Sequence, residues 1–303
     1  MKVYDLIILG VGPVGITASV YAARKGLDFL VISKDIGGQA SISGNIENYT
    51  GYQFITGPEL VSKFQKHLDM FGIKINIDEE AKEIKKENSL IETITDKDTY
   101  FSKTLIIATG KRPRPLEAEG EKEFKNRGIT YCATCDGPLF KGKNVAIIGG
   151  GNSALDATLQ MMKISPKIYI INIGSNLIAD PIMIEKIKDS PSVEIWNNSK
   201  VKRVYGDSFV KGIEVEKEGK IYSLEVEGVF VEIGLIPNSE FAKILKQNDK
   251  KEIEIDCFNR TSIRGVFACG DVTNVPEKQI IVACGEGAKA LLGAFKYLST
   301  HRF

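Results

Sequence analysis

Val3-Tyr4-Asp5-Leu6-Ile7-Ile8-Leu9, followed by Gly10-Val11-Gly12-Pro13-Val14-Gly15, decides the fold of this chain. A short run of β-formers closed by glycine reads as a buried parallel strand. The residues from Ile16 to Lys25 are apolar at helical spacing and stop at Gly26, and Phe29 to Ile32 is the next strand. G-x-G-x-x-G between a strand and a helix is the fingerprint of a dinucleotide site. Gly10 permits the tight turn, Gly12 lets the backbone approach a pyrophosphate, and Gly15 lets the helix pack close to the strand. The helix N-terminus then turns its free N–H groups toward the phosphates. A glycine-rich turn without a ligand is the bland alternative. The fingerprint expects an acid about 20 residues on to hold the ribose. Here Ser33-Lys34-Asp35 stands there, so Ser33 and Lys34 are candidate contacts, with Asp35 close behind.

The same unit returns further on. Val145 to Ile148 is a strand, Gly149-Gly150-Gly151-Asn152-Ser153-Ala154 a turn, Leu155 to Lys163 a helix and Ile168 to Ile171 a strand. Two such starts imply an α/β protein with two dinucleotide-binding, Rossmann-like, three-layer domains. Lys103 to Ala108 forms another strand, closed by Thr109-Gly110. The stiff, charged Lys111-Arg112-Pro113-Arg114-Pro115 suits a linker, and Gly234-Leu235-Ile236-Pro237-Asn238 suits a second crossing. Gly265 to Asp271 reads as a strand ending in Gly-Asp, before a Gly/Ala-rich helix from Val282 to Leu298. The second domain, 113–237, is therefore expected as an insertion in a discontinuous first domain, 1–112 and 238–303.

Composition narrows the classes. The 303 residues are 43% hydrophobic and 26% charged, which excludes disorder and a disulfide-stapled mini-protein. Forty basic against thirty-nine acidic residues give a net charge of +1, with no bulk pull toward nucleic acid. No apolar run reaches the ~18 residues of a membrane span. Asp5 interrupts the apolar start, and Gly10, Gly12, Pro13 and Gly15 suit an ordered turn better than a signal peptide, so a cytoplasmic location is expected.

Of five cysteines, two form Cys132-Ala133-Thr134-Cys135, followed by Asp136. A C-x-x-C binds zinc or carries a reversible disulfide. Zinc asks for four ligands, and the two histidines, His67 and His301, are far apart, so no metal is expected. Two inert core thiols are the structural alternative. The adjacent Asp136 favours a redox dithiol, because the attacking species is a thiolate and a nearby carboxyl can exchange its proton. Cys257, Cys269 and Cys284 read most simply as small core residues.

Taken together, these motifs resemble those of the low-molecular-weight thioredoxin reductases, nearly end to end. The likeness rests on Gly10–Gly15, Gly37-Gly38-Gln39, Glu47-Asn48-Tyr49-Thr50-Gly51, Ala108-Thr109-Gly110, Cys132–Asp136, Gly149–Ala154, Gly270-Asp271 and Lys278-Gln279. The resemblance implies FAD as cofactor, with Gly10, Gly12, Pro13 and Gly15 at its pyrophosphate. Gly38, Gln39, Asn48, Thr109, Gly110, Gly270, Asp271, Lys278, Gln279 and Ile280 would line the rest, with Asp271 near the ribityl chain and Gln279 by the isoalloxazine. It further implies a Cys132–Cys135 disulfide in which Cys135 faces the flavin and Cys132 attacks thioredoxin. Asp136 would be the proton donor, in a homodimer.

The chain departs from that family at one place. Members that use NADPH carry a His-Arg-Arg cluster and a further Arg after the second strand of the inserted domain, to grip the 2′-phosphate. This chain reads Asn172-Ile173-Gly174-Ser175-Asn176-Leu177-Ile178, with neither a cation nor the acid that reads NAD. Each charge-assisted contact so lost is worth about 1.5–3 kcal/mol, so NADPH is not expected to be the donor. The pattern is similar to the ferredoxin-dependent flavin thioredoxin reductases. A ferredoxin near roughly −400 mV and thioredoxin near roughly −270 mV make a two-electron transfer downhill by about 6 kcal/mol. Steering of an acidic ferredoxin is expected at Lys111, Arg112 and Arg114, or at Lys122, Lys125 and Arg127, although solvated surface charge explains either group.

Two competing readings stand beside this one. An NAD(P)H-dependent thioredoxin reductase with an atypical pocket would use Asn172 and Ser175 as weak hydrogen-bonders. A flavin-bearing redox sensor would switch its disulfide without turnover. A ferredoxin–NADP reductase needs no C-x-x-C and is disfavoured. The aromatic end, Tyr297 to Phe303, is either a frayed terminus or a lid stacked on the flavin.

Overall fold

The computed structural model describes residues 2–43 and 45–301, with the backbone alone at Asn45 and Cys135. Arg302 and Phe303, on which an aromatic lid depends, lie outside the described residues. The chain divides into two compact units, Met1–Arg112 with Ile236–Phe303, and Pro113–Leu235. The second crossing falls at Leu235/Ile236, two residues before the boundary the sequence suggests.

In the first unit, the opening strand Val3–Val11 lies parallel between Phe29–Ile36 and Thr99–Ile107. Ile75–Ile77 extends the sheet beside Phe29–Ile36. The far edge of Thr99–Ile107 is shared. Its first half pairs antiparallel with Leu90–Thr95, and its last three residues pair parallel with Val266–Ala268. Alternate residues of these strands feed opposite layers. Leu6, Ile8, Val31 and Ile106 pack with the helix Pro13–Arg24 and the C-terminal helix Ile280–Thr300. Ile7, Leu9, Ile32, Leu105 and Ile107 pack with Ile84, Ile91, Leu245 and Ile253 on the other face. That is why the run reads as unbroken apolar sequence: neither face meets water.

The second unit carries a five-stranded parallel sheet. Its order is Ile129–Thr130, Gly228–Val231, Val145–Ile148, Ile168–Ile171 and Val193–Trp196. Val145, Ile147, Ile168 and Ile170 bury against the helix Asn152–Met161. Ala146, Ile148, Val229 and Val231 bury against Val201, Val204, Val210, Ile213 and Val215. Those residues belong to an antiparallel three-stranded sheet, Ser199–Gly206, Val210–Lys217 and Lys220–Glu225. Both units are thus three-layered α/β assemblies. Among the described residues, no helix is long and apolar enough to cross a membrane.

Candidate active site

The glycine turn of the first unit separates structural demand from ligand demand. Gly10 has φ +100°, and a Cβ on it would stand 2.5 Å from the Ala108 carbonyl oxygen. A Cβ on Gly15 would stand 1.8 Å from the Gly10 oxygen, so helix and strand approach too closely for any side chain. Gly12 differs. Its φ of −77° suits any residue, and a Cβ there meets only the Gly37 oxygen, at 4.0 Å. Among the described residues nothing calls for glycine at 12, but a phosphate seated over the turn does. Gly38 faces the same space, its own Cβ position 3.7 Å from Gly12 Cα. Pro13 opens the helix, at a position where the missing N–H is no loss. These residues fit the diphosphate of a bound FAD.

Other candidates of this unit are drawn together by polar contacts. Asn48 Nδ2 donates to Gln279 Oε1 at 3.0 Å, and Gln39 Nε2 donates to the Lys111 carbonyl at 2.8 Å. Thr109 Oγ1 donates to the Asn238 carbonyl, while Asn238 Nδ2 returns a bond to the Thr109 carbonyl, which fixes the chain just before Gly110. Asp271 follows Gly270 and is partly buried, and burial raises its pKa. Lys278 is held by the carbonyls of Asp271 and Thr273 and by Glu252 at 3.3 Å. Ile280 begins the C-terminal helix and packs on Ile46, Ile55 and Leu60. Ser33 is buried, and its hydroxyl is committed inside the protein. It donates to the Asp35 carbonyl at 2.6 Å and accepts the Val11 N–H at 3.1 Å. Lys34 and Asp35 beside it are exposed.

In the second unit, Cys132 lies at the carboxyl edge of the parallel sheet, where open α/β sheets bind ligands. The edge strand Ile129–Thr130 leads into the short helix Ala133–Asp136. Cys132 is disulfide-bonded, while the side chain of Cys135 lies outside the described residues. Thr130 is buried between its neighbours. Its hydroxyl accepts the Cys132 N–H at 3.2 Å and donates to the Asp136 carboxylate. Asp136 is therefore tied, through Thr130, to the backbone at Cys132. The Tyr131 hydroxyl donates to Glu121, and burial drives the pKa of that phenol up.

The second glycine turn keeps the same division of labour. A Cβ on Gly149 would stand 2.3 Å from the Glu232 carbonyl oxygen, whereas one on Gly151 meets nothing within 4 Å. The reader position has changed character. Asn172 is 5% exposed. Its amide nitrogen donates to the Gly174 and Asn176 carbonyls and to Asn197 Oδ1, and its oxygen accepts the Gly174 N–H. Its side chain bridges its own loop and Asn197. Ile173 and Ile178 of the same loop are exposed.

A model of the pyridine nucleotide-disulphide oxidoreductases matches residues 4–287. The chain belongs to the pyridine nucleotide-disulphide oxidoreductase family. FAD is the cofactor of these oxidoreductases and of their thioredoxin reductase neighbours. Thioredoxin reductase from Lactococcus lactis superposes with a TM-score of 0.82 at 33% identity, covering 98% of this chain and 100% of that one. A ferredoxin-flavin thioredoxin reductase from Clostridium acetobutylicum gives 0.54 at 30% identity, covering 98% and 99%. Among curated relatives, an NADH dehydrogenase of Ferdinandcohnia aciditolerans is 37% identical, over 97% of this chain. An alkyl hydroperoxide reductase component of Staphylococcus aureus is 39% identical, also over 97% of this chain. The chain spans 57% and 59% of the length of those two relatives.

Several features of this chain escape a reading by motif. Lys111, considered as a steering cation, is largely buried and bonded to Glu252 at 2.8 Å. Arg112 is paired with Glu240 and Asn238. Lys122, Lys125 and Arg127 are exposed, with Lys125 over the Tyr131 ring. Cys269 is fully buried and Cys284 partly so, but Cys257 is exposed and is not a core residue. Glu232 belongs to no motif either. Its only signal is an acid directly after the apolar strand Gly228–Val231, which pairs with Ile129–Thr130 ahead of Cys132.

Proposed function

We propose that this chain is an FAD-dependent disulfide reductase that passes electrons through the Cys132–Cys135 disulfide to thioredoxin, with reduced ferredoxin rather than NADPH as donor. The observation that carries the acceptor half is the Thr130 hydroxyl, bonded to both the Cys132 N–H and the Asp136 carboxylate. An inert pair of core cysteines has no use for a carboxylate held beside it. FAD supplies, when bound, the two electrons that reduce the disulfide. Cys132 then presents its thiolate to the disulfide of thioredoxin, and Asp136 carries the proton that a thiol gains or loses. The mixed disulfide resolves when the Cys135 thiolate attacks Cys132 and releases reduced thioredoxin. Gly10, Gly12, Pro13, Gly15, Ser33, Lys34, Gly38, Gln39, Asn48, Thr109, Gly110, Gly270, Asp271, Lys278, Gln279 and Ile280 form the cofactor-holding set. Homodimer formation and a cytoplasmic site of action belong to the same reading.

The donor assignment rests on Asn172. A residue whose amide is engaged with the Gly174 and Asn176 carbonyls and with Asn197 is not available to read a ribose, and Ile173 and Ile178 offer nothing to a 2′-phosphate. A second reading takes NADH as donor. It is favoured by the open turn at Gly151 and by relatives named NADH dehydrogenase. Anaerobic mixing of the oxidised protein with NADPH, NADH and reduced ferredoxin, each alone, decides the matter through the flavin absorbance. Rapid bleaching by ferredoxin only supports the proposal. Rapid bleaching by NADH at micromolar levels replaces the donor and leaves the thiol chemistry in place.

A further inference from the structure

The parallel register of two strands sets a carboxylate beside the redox pair. Ile129 and Thr130 stand opposite Val229 and Phe230. Cys132 lies two residues beyond Thr130, and Glu232 lies two residues beyond Phe230. The two therefore leave adjacent strands at the same level. On its other side, the Glu232 N–H donates to the Ile148 carbonyl at 2.8 Å, next to the Gly149 turn. The backbone N–H of Ala133, the residue after Cys132, acts on the Glu232 carboxyl and lowers its pKa against its burial.

We propose that Glu232 is a positioning residue of the redox turn: by holding the Ala133 amide, its carboxylate governs how readily the neighbouring Cys132 thiol ionises. This rests on the reading of Cys132 as the attacking thiol. An anionic carboxylate on that amide removes a donor that a thiolate needs and adds a like charge beside it, and both effects hold the thiol protonated. The groups around Glu232 do not cancel its charge. From the helix Asn152–Met161 comes Asp156, also an acid, whose carboxylate accepts the Gln160 amide. Burial and the charge of Asp156 push Glu232 up to about 7, so it changes charge within the working range. Below that pH Glu232 is neutral and Cys132 is relieved of it. Above it, the carboxylate holds the thiol back.

The test is the rate of Cys132 alkylation by iodoacetamide against pH in the fully reduced, flavin-loaded full chain, read by peptide mass so that exposed Cys257 does not interfere. Glu232→Gln keeps an acceptor for the Ala133 amide but carries no charge. Its alkylation midpoint is expected about one pH unit below that of the unsubstituted protein, close to tenfold more thiolate at a pH beneath both midpoints. Glu232→Asp, which keeps the charge, is expected to stay within a few tenths of the original. In the unsubstituted protein, the curve should rise more gradually than a single ionisation, since two coupled groups titrate. That last measurement needs no variant. An unchanged or raised midpoint in Glu232→Gln, or a single-ionisation curve in the unsubstituted protein, overturns the proposal. No donor and no thioredoxin enter the assay, so its failure is distinct from a failure of the reductase reading, which would appear as thioredoxin reduction surviving Cys132→Ser.

Discussion

Thr130 joins Cys132 to Asp136 through one hydroxyl, accepting the N–H of the first at 3.2 Å and donating to the carboxylate of the second. Replacing it by Val keeps the shape of this buried strand residue and removes both bonds. A hydrogen bond to a charged group contributes about 1.5–3 kcal/mol. Thr130→Val should therefore slow thioredoxin reduction by roughly ten- to a hundredfold. Flavin reduction by the donor should be unchanged, and Thr130→Ser should restore most of the rate. Equal slowing of both half-reactions would mean that Thr130 supports the unit as a whole rather than the thiol step.

Gly12 and Gly15 should behave oppositely. A Cβ on Gly12 has open space and an ordinary φ, while one on Gly15 collides with the Gly10 carbonyl. Gly12→Ala should fold as well as the parent in the flavin-free form, or better by about 0.4–1 kcal/mol through its stiffer unfolded chain, yet purify with little flavin. Gly15→Ala should lose about 1–3 kcal/mol of stability or more through overpacking. Flavin content and urea midpoints of the two variants check this, and full flavin in Gly12→Ala would remove that turn from the cofactor site.

Much of this is legible in the order of residues, because the decisive signals are local. The strand–turn–helix at Val3 to Arg24, its copy at Val145 to Met161, and the C-x-x-C before Asp136 each lie within one short stretch. The second helix begins at Asn152 rather than Leu155, since the backbone turns helical directly after Gly151. What could not be read depends on segments distant in sequence. Lys111 looks like surface charge until Glu252 is brought to it from the far side of the inserted unit. Glu232 acquires its neighbour only through the pairing of Gly228–Val231 with Ile129–Thr130. Ser33 stands where a ribose contact belongs, and its hydroxyl also closes the Val11–Asp35 junction, a detail of backbone path that spacing does not encode.

Glu252 should make stability depend on acid. Burial alone would raise its carboxyl, but hydrogen bonds from Lys111 and Asn248 and the charge of Lys278 outweigh it and bring it to about 2. A carboxyl lowered from 4.5 stabilises the fold fully above about 4.5, and that contribution is lost as the pH falls toward 2. Lys278 is pulled down by burial and by Lys111, which offsets part of the gain. Glu252→Gln should therefore cost about 2 kcal/mol at pH 7, with the difference from the parent closing near pH 2. Urea unfolding at both pH values reads it. A difference independent of pH would assign the loss to packing.

Glu232 should act with the opposite sign. Its carboxyl is raised, from 4.5 to about 7. Ionising it in the folded state opposes folding, so stability falls as the pH climbs from about 4.5 through 7. Glu232→Gln is expected to match the parent near pH 4.5 and exceed it by about 2–3 kcal/mol at pH 8. Unfolding curves at those two pH values settle it, and a variant less stable at pH 8 contradicts the assignment.

The central claim is that electrons leave the flavin-loaded chain through Cys132 and Cys135. The direct measurement is steady-state thioredoxin reduction by Cys132→Ser and Cys135→Ser, each purified with its flavin and supplied with whichever donor bleaches it. The account predicts that both variants accept electrons from the donor but leave the thioredoxin disulfide unreduced. Turnover close to that of the parent in either variant would contradict it.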